Sequence, residues 1–308
     1  MYEYVGNLHA HTTYSDGEQP HDVLAAAAIR AGLDFLVVTD HNVLVGGVEG
    51  HYRLPDQPDG RTVLLLTGEE VHDTLRDPQQ NHLLVYGTGQ PMAPFAQGQP
   101  PQALLDVVNR AGGCAFIAHP TDRAVPWIGE ASYRWVDWGV TGYTGLELWN
   151  TMSTLKELMP DVPRALWAVF FPARAFVGPD RATLKLWDDL LRQGRRVAVI
   201  GNSDAHGTIY RLGPLHKTIF PYEFLFRCAN THVLLDQPLS GNPGQDGRAL
   251  FGAIARGRAF VGYGLAGDPR GFRFTAAQHG SGGAGVPVAE MGDAVALDDF
   301  GVLRITAP

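Results

Sequence analysis

The stretch His21–Asn42, HDVLAAAAIRAGLDFLVVTDHN, decides how the rest of the chain is read. An Ala-rich helix former runs to Gly32, a glycine ends it, four apolar residues FLVV follow, and the run closes on the polar group TDHN. The same order recurs in Pro101–Pro120, PQALLDVVNRAGGCAFIAHP, which ends on AHP, and in Arg181–His206, RATLKLWDDLLRQGRRVAVIGNSDAH, which ends on NSDAH. Short apolar runs after helices predict parallel strands covered on both faces. Further strands are expected in YVGNLHAH, VLLLTGEEV, HLLVYG and GLELWN. About seven or eight strands fit a closed or nearly closed β/α barrel, with a doubly wound sheet as the alternative.

The 308 residues carry a formal charge of -8, with 45% hydrophobic and 18% charged residues. An acidic chain lacks the basic face that holds a nucleic-acid polymer, so a small-molecule substrate is expected. No apolar run reaches the roughly 18–20 residues of a membrane span, and the start of the chain has no leader pattern. Cys114 and Cys228 sit in apolar surroundings and read as buried thiols. These features predict a cytoplasmic protein with no membrane partner; they leave the oligomeric state open.

All six tryptophans lie between Trp127 and Trp187. They suit either a local aromatic core or an apolar wall beside a site. After Gly264 the composition turns Gly-rich and ends in GVLRITAP, which reads as a β appendage. The predicted organisation is a barrel over 1–264 and an appendage over 265–308.

Chemistry-bearing residues collect where the apolar runs end. His9 and His11 in NLHAHTTYSDG are two apart, so on an extended chain they share a face and can grip one ion. TDHN offers His41, TGEEVH offers Glu69 or Glu70, NHLLVYG begins with His82, AHP gives His119 and SDAH gives Asp204 and His206. Six of the twelve histidines thus fall at predicted strand edges. Among the remaining six, His72 and His216 are the candidates for addition. Imidazole with carboxylate suits Zn, Mn and Fe. Ser15 and Ser203 lack a free general base, which argues against covalent catalysis. No strand-GxGxxG-helix context supports a nucleotide cofactor.

Taken in order, NLHAHTTYSDG, TDHN, GEEV, NHLLVYG, IAHP and GNSDAH resemble the PHP (polymerase and histidinol phosphatase) family. The later GRAFVGYGLAGDPRGFRF is similar to its carbaryl-hydrolase-like CehA/McbA branch. The resemblance implies a distorted seven-stranded (β/α)7 TIM-like barrel holding two or three divalent ions, Mn, Fe or Zn. It implies His9, His11 and Asp204 at the first ion, Asp16, His41 and His206 at the second, and His82 and His119 at the third. Glu70 would bridge, because the family's glutamate stands two residues after a glycine, here Gly68. Asp16 in place of a histidine favours Mn or Fe. Asp40 is expected to support the site rather than join it.

The activity so implied is a phosphoesterase in which a hydroxide held between ions attacks, with Glu70, Asp204 and His206 at the reacting centre. Arg123 and Arg211 are candidates to steady a substrate anion, with Lys217 close behind. The branch resemblance adds a carbamate, ester or amide hydrolase as the alternative, and a non-catalytic metal-binding module as a third reading.

Overall fold

The structure is a computed structural model. It describes every residue except 55, 57–59, 94–97, 213–214, 279–286 and 300; the side chains of 210–212, 215–217 and 297 also fall outside the description.

In chain order the elements are β1 (Tyr2–Asn7), α1 (His21–Ala31), β2 (Phe35–Val38), β3 (Gly50–Arg53), β4 (Thr62–Val71), β5 (Leu83–Tyr86), α2 (Pro101–Arg110), β6 (Cys114–Ile117) and β7 (Gly145–Asn150). Then come α3 (Thr151–Leu158), α4 (Val162–Phe170), α5 (Pro172–Ala175), α6 (Arg181–Arg192), β8 (Ala198–Asn202), β9 (Ile209–Leu212), β10 (Leu215–Thr218) and α7 (Tyr222–Leu225). The chain ends with β11 (Ala229–Leu235), α8 (Pro243–Ala255), β12 (Ala259–Tyr263), β13 (Arg273–Ala277), β14 (Pro287–Ala289) and β15 (Val302–Thr306).

One sheet runs β12-β11-β1-β2-β4-β5-β6-β7-β8, with β3 paired to β4 off this path. Its two ends approach each other: the Thr231 hydroxyl on β11 accepts from the Gly201 N–H and donates to the Gly201 carbonyl on β8, both at 3.0 Å. The barrel is therefore nearly closed, joined at the seam by a side chain instead of a backbone ladder. Nine described strands follow this path, not the seven expected, because β11 and β12, joined through α8, add an antiparallel pair beside β1.

The expectation of parallel pairing holds for β1–β2, β2–β4, β6–β7 and β7–β8. It fails at β5, which is antiparallel to both neighbours. The reason lies in the connection: residues 72–82 contain no crossover helix, so the chain turns back and pairs directly.

The strands carry apolar residues on both faces. Phe35 and Val37 of β2 join an inner cluster with Leu64, Leu66, Tyr86 and Phe116, while Leu36 and Val38 face α1. Alternation along a strand produces the two layers. Helix α8 supplies Leu250, Phe251, Ala253 and Ile254 to the inner cluster, so it plugs the barrel. Glycines allow close approaches: a Cβ on Gly145 would lie 2.2 Å from the Ala198 carbonyl oxygen and 2.6 Å from the Phe116 ring.

The C-terminal stretch forms a separate three-stranded sheet, β14-β13-β15. Arg258 ties its surroundings to the barrel through Asp293, 3.1 Å away. Part of the Gly-rich segment, 279–286, lies outside the described residues. Both cysteines are free thiols. Among the described residues no helix is long and apolar enough to cross a membrane.

Candidate metal centre

Each chemistry-bearing side chain stands at one rim of the barrel. His9 and His11 follow β1, with Ala10 bridged to Ala205. Asp40 and His41 follow β2, Glu70 lies near the end of β4, His119 follows β6, and Asp204 and His206 follow β8. His82 immediately precedes β5; since that strand runs the opposite way, its start lies at the same rim. His119 (φ 29°) and Asp204 (φ 56°) sit in the left-handed region, which strains a non-glycine residue, and both are among the converging side chains.

Glu70 is the hub. Its Oε2 lies 3.0 Å from His9 Nε2 and 3.2 Å from both His11 Nε2 and His41 Nδ1. Its Oε1 lies 2.8 Å from His82 Nδ1 and 2.9 Å from His119 Nε2. Asp204 Oδ1 is 3.2 Å from His9 Nε2 and 3.1 Å from His11 Nε2. Asp16 lies 3.2 Å from His206 Nε2 and 3.6 Å from His41 Nε2.

Tautomers test whether these groups suit a metal. His9 Nδ1 faces Glu147 Oε1 at 2.9 Å, and His206 Nδ1 faces the Asp204 carbonyl at 2.9 Å. In the neutral rings each Nδ1 keeps the proton for that acceptor, so each Nε2 turns a lone pair toward carboxylate oxygens. Lone pair against lone pair is repulsive unless a cation or a proton lies between. Among the described residues three sets bring their ligand atoms within 4.8 Å of one another and could hold an ion: His9, His11, Glu70 and Asp204; His11, Asp16, His41 and His206; and His41, Glu70 and His82.

Proton affinities carry the same signature. Burial opposes charge on His9, yet Asp204, Glu147 and Glu70 outweigh it and hold its pKa well above the ordinary value. His11, buried but bonded to Asp204 and Glu70, is raised to about 9. His82 goes the other way, to about 3, because desolvation exceeds the pull of Glu70. Glu70 and Asp204 are themselves held well below the carboxylate range, since the surrounding imidazoles overcome their burial.

A second layer fixes the first. Glu147, in the middle of β7, also accepts from the His119 N–H at 2.9 Å, from the Asn150 amide at 2.9 Å and from the Asn202 amide at 3.1 Å. The Asn150 amide reaches Asp204 Oδ2 at 3.1 Å as well. Carboxylates that orient a ligating imidazole in this way raise its basicity. Asp40 accepts from the Thr12 N–H and hydroxyl, both at 2.7 Å, and from the Ser15 hydroxyl at 2.8 Å, so it shapes the turn carrying Asp16. Tyr222 Oη lies 2.8 Å from the His11 carbonyl and 2.6 Å from that of His206.

A cleft of about 420 Å³ opens over this centre. One side is the histidine and carboxylate cluster; the other includes Ile128, Met152, Leu155 and Met159. Lys156 lines it too, its Nζ held by Asp122 at 2.6 Å and the Ala131 carbonyl at 2.8 Å, 4.8 Å from the Tyr133 ring centre.

No tryptophan lines this wall among the described residues. Trp135 and Trp149 are buried, Trp138 and Trp187 pack against the core below α2 and α6, and Trp127 and Trp167 are about half exposed. Arg123 turns to Glu157 at 3.3 Å and Asp180 at 3.4 Å and does not line the cleft. Arg211 stands on β9 and Lys217 on β10; both side chains, like that of His216, lie outside the described residues. His72 stacks on His82 with ring centres 4.3 Å apart. Sequence reasoning missed Glu147, Asn150 and Lys156. An acid in the middle of the apolar run GLELWN was the available signal for the first.

No family model matches the chain, and no curated protein matches it. Solved structures align with the chain at low identity. A two-domain protein from Bacteroides vulgatus, described as containing a predicted PHP-like metal-dependent phosphoesterase, aligns at TM-score 0.48 and 16% identity, over 85% of this chain and 65% of that one. A candidate metal-dependent phosphoesterase from Bifidobacterium adolescentis aligns at TM-score 0.40 and 17% identity, over 68% of this chain and 90% of that one. A lesion-specific endonuclease from Pyrococcus furiosus aligns at TM-score 0.40 and 14% identity, over 84% of this chain and 58% of that one. The chain therefore spans slightly less than two thirds of the first of these proteins.

Proposed function

We propose that the protein is a metal-dependent hydrolase of the PHP type that cleaves a small phosphorylated substrate. The observation that carries this reading is the Glu70 carboxylate, 1% exposed, with five imidazole nitrogens within 3.2 Å. The ligand sets we assign are His9, His11 and Asp204; Asp16, His41 and His206; and His82 with His119, with Glu70 shared between the first and third. When bound there, divalent Mn, Fe or Zn supplies the Lewis acidity that makes water nucleophilic at neutral pH and neutralises developing charge.

The chain's own groups divide the remaining work. Glu147 holds His9 in one tautomer, and Asn150 locks Glu147 to Asp204. Asp16 and His206, 56% and 21% exposed, line the cleft and would face the oxygens of a bound substrate. Lys156 lies on the cleft wall with its ammonium paired to Asp122, so it shapes the wall and is not a free cation. Arg123 and Arg211 stay as candidates for the mouth.

The apolar wall of Ile128, Met152, Leu155 and Met159 favours a second reading, hydrolysis of a carbamate, ester or amide, as the carbaryl-hydrolase-like resemblance implies. One assay separates the two. The protein is stripped of metal, reconstituted with Mn²⁺, Fe²⁺ or Zn²⁺, and offered nitrophenyl phosphate, nitrophenyl acetate and an aryl carbamate. Metal-dependent release from the phosphate alone is expected. Release from the acyl substrates alone transfers the conclusion to the second reading, and no turnover with any metal overturns the hydrolase.

A further inference from the structure

Residues 131–137 have no regular structure, yet they are tied to the metal rim at both ends. The Ser132 hydroxyl donates to the Asp122 carbonyl at 2.7 Å and the Tyr133 N–H to Asp122 Oδ2 at 2.9 Å, three residues beyond His119. Asn81, next to His82, accepts from the Val136 N–H at 2.8 Å.

These ties place the Tyr133 ring where the two sides of the cleft meet. Its centre is 5.5 Å from the ring centre of His82, in the ligand cluster. It is also 4.8 Å from the ammonium of Lys156, on α3, the helix that carries Met152 and Leu155 of the apolar wall. The polar groups around the ring are engaged: Lys156 by Asp122 and the Ala131 carbonyl, and Asp122 by Lys156, the Ser153 hydroxyl and the Tyr133 N–H. The phenol is not. Tyr133 lines the cleft, and among the described residues its hydroxyl meets no hydrogen-bond partner. A phenol titrates at about pH 10, so at neutral pH it is a hydrogen-bond donor that keeps its proton.

The geometry points to this hydroxyl as a substrate-contacting group, one that donates a hydrogen bond to the oxygen joining the phosphoryl group to the rest of the substrate. The inference rests on the phosphoesterase reading above. A substrate whose phosphoryl group meets the histidines and carboxylates, and whose remainder meets the apolar wall, has that bridging oxygen at the junction where Tyr133 stands. In hydrolysis the oxygen of water joins phosphorus, and the bond from phosphorus to the bridging oxygen breaks with its electron pair on that oxygen. The proton released by water ends there. The phenol keeps its own proton, and its hydrogen bond strengthens as charge builds on the departing oxygen.

Tyr133→Phe in the metal-reconstituted full chain is the test, because it removes the hydroxyl and keeps the ring beside His82 and Lys156. Two substrates are compared: phenyl phosphate, with the poorer leaving group, and nitrophenyl phosphate. The variant's kcat/KM is expected to fall roughly ten- to a hundredfold with phenyl phosphate. The fall should be clearly smaller with nitrophenyl phosphate, whose nitro group already draws charge off the departing oxygen. Metal content and Tm should match wild type. Equal losses on both substrates, or no loss on either, overturn the assignment. A loss that comes with lower metal content or Tm makes the residue structural and overturns it too. A wild type that turns over neither phosphate with Mn²⁺, Fe²⁺ or Zn²⁺ sinks the phosphoesterase reading and this assignment with it, a result distinct from a defect confined to the variant.

Discussion

Adjacent in sequence, Glu69 and Glu70 face opposite sides of β4, because successive side chains on a strand alternate. Glu70 meets the histidines, whereas Glu69 accepts from the Met92 N–H at 2.7 Å and the Ala93 N–H at 3.2 Å. Their amide variants should therefore fail differently. Glu70→Gln is expected to lose metal and turnover while still folding. Glu69→Gln is expected to keep its metal and lose about 1–3 kcal/mol of stability as one buried and one part-buried hydrogen bond weaken. Metal content by mass spectrometry and urea midpoints read the two effects; loss of metal in both variants would contradict the assignment.

Glu157 makes a pH prediction at the same scale. Burial, then the hydrogen bond to Asp180 and the negative charge there, raise its pKa to about 7, with Arg123 opposing. The folded state holds this proton more tightly than an unfolded chain, whose carboxyl titrates near 4.5. The stabilising contribution is complete below pH 4.5 and is lost as the pH rises through about 7. Glu157→Gln has no such proton to release, so its urea midpoint should fall less than wild type between pH 5 and 8. Parallel pH profiles for the two proteins would refute the linkage.

Among elements, the reversed strand β5 shows why direction matters as much as strand propensity. Its residues LLVY read as a strand in any orientation, but only the antiparallel course brings His82 to the rim shared by His41 and His119. Strand β7 makes a comparable point about spacing. Gly145 lets it approach β8 and Phe116 closely, and a methyl group there meets backbone that cannot move aside. Gly145→Ala is expected to cost about 1–3 kcal/mol through overpacking. The same strand carries Glu147, so the variant should also weaken metal retention. A urea midpoint and metal content both at wild-type values would show that the strands relax without consequence.

For the whole molecule, closing the sheet forces three buried or partly buried acids, Glu70, Glu147 and Asp204, into one region beside the exposed Asp16. Cations that bind only the folded chain stabilise it by mass action, about 2.7 kcal/mol at a hundredfold excess over Kd. Chelation should lower Tm by roughly 3–8 °C at this chain length, reversibly on adding Mn²⁺ or Zn²⁺. A Tm indifferent to chelator would argue that protons, not metal ions, fill the gaps between imidazole and carboxylate.

Local chemistry is what the sequence by itself determined. The helix, glycine and apolar-run pattern marks β2, β6 and β8, the polar groups behind those runs offer His41, His119, Asp204 and His206, and other run edges offer His9, His11, His82 and one of Glu69 and Glu70, because side-chain type and short-range periodicity are properties of contiguous residues; Asp16 and the preference for Glu70 came from the family resemblance. Tertiary structure alone decided the rest. The count of nine strands, the reversal of β5, the reach of Glu147 to His9 across 138 positions and the place of Tyr133 beside His82 and Lys156 depend on which distant segments meet. That meeting is set by burial and close packing of the whole chain, which no single stretch encodes.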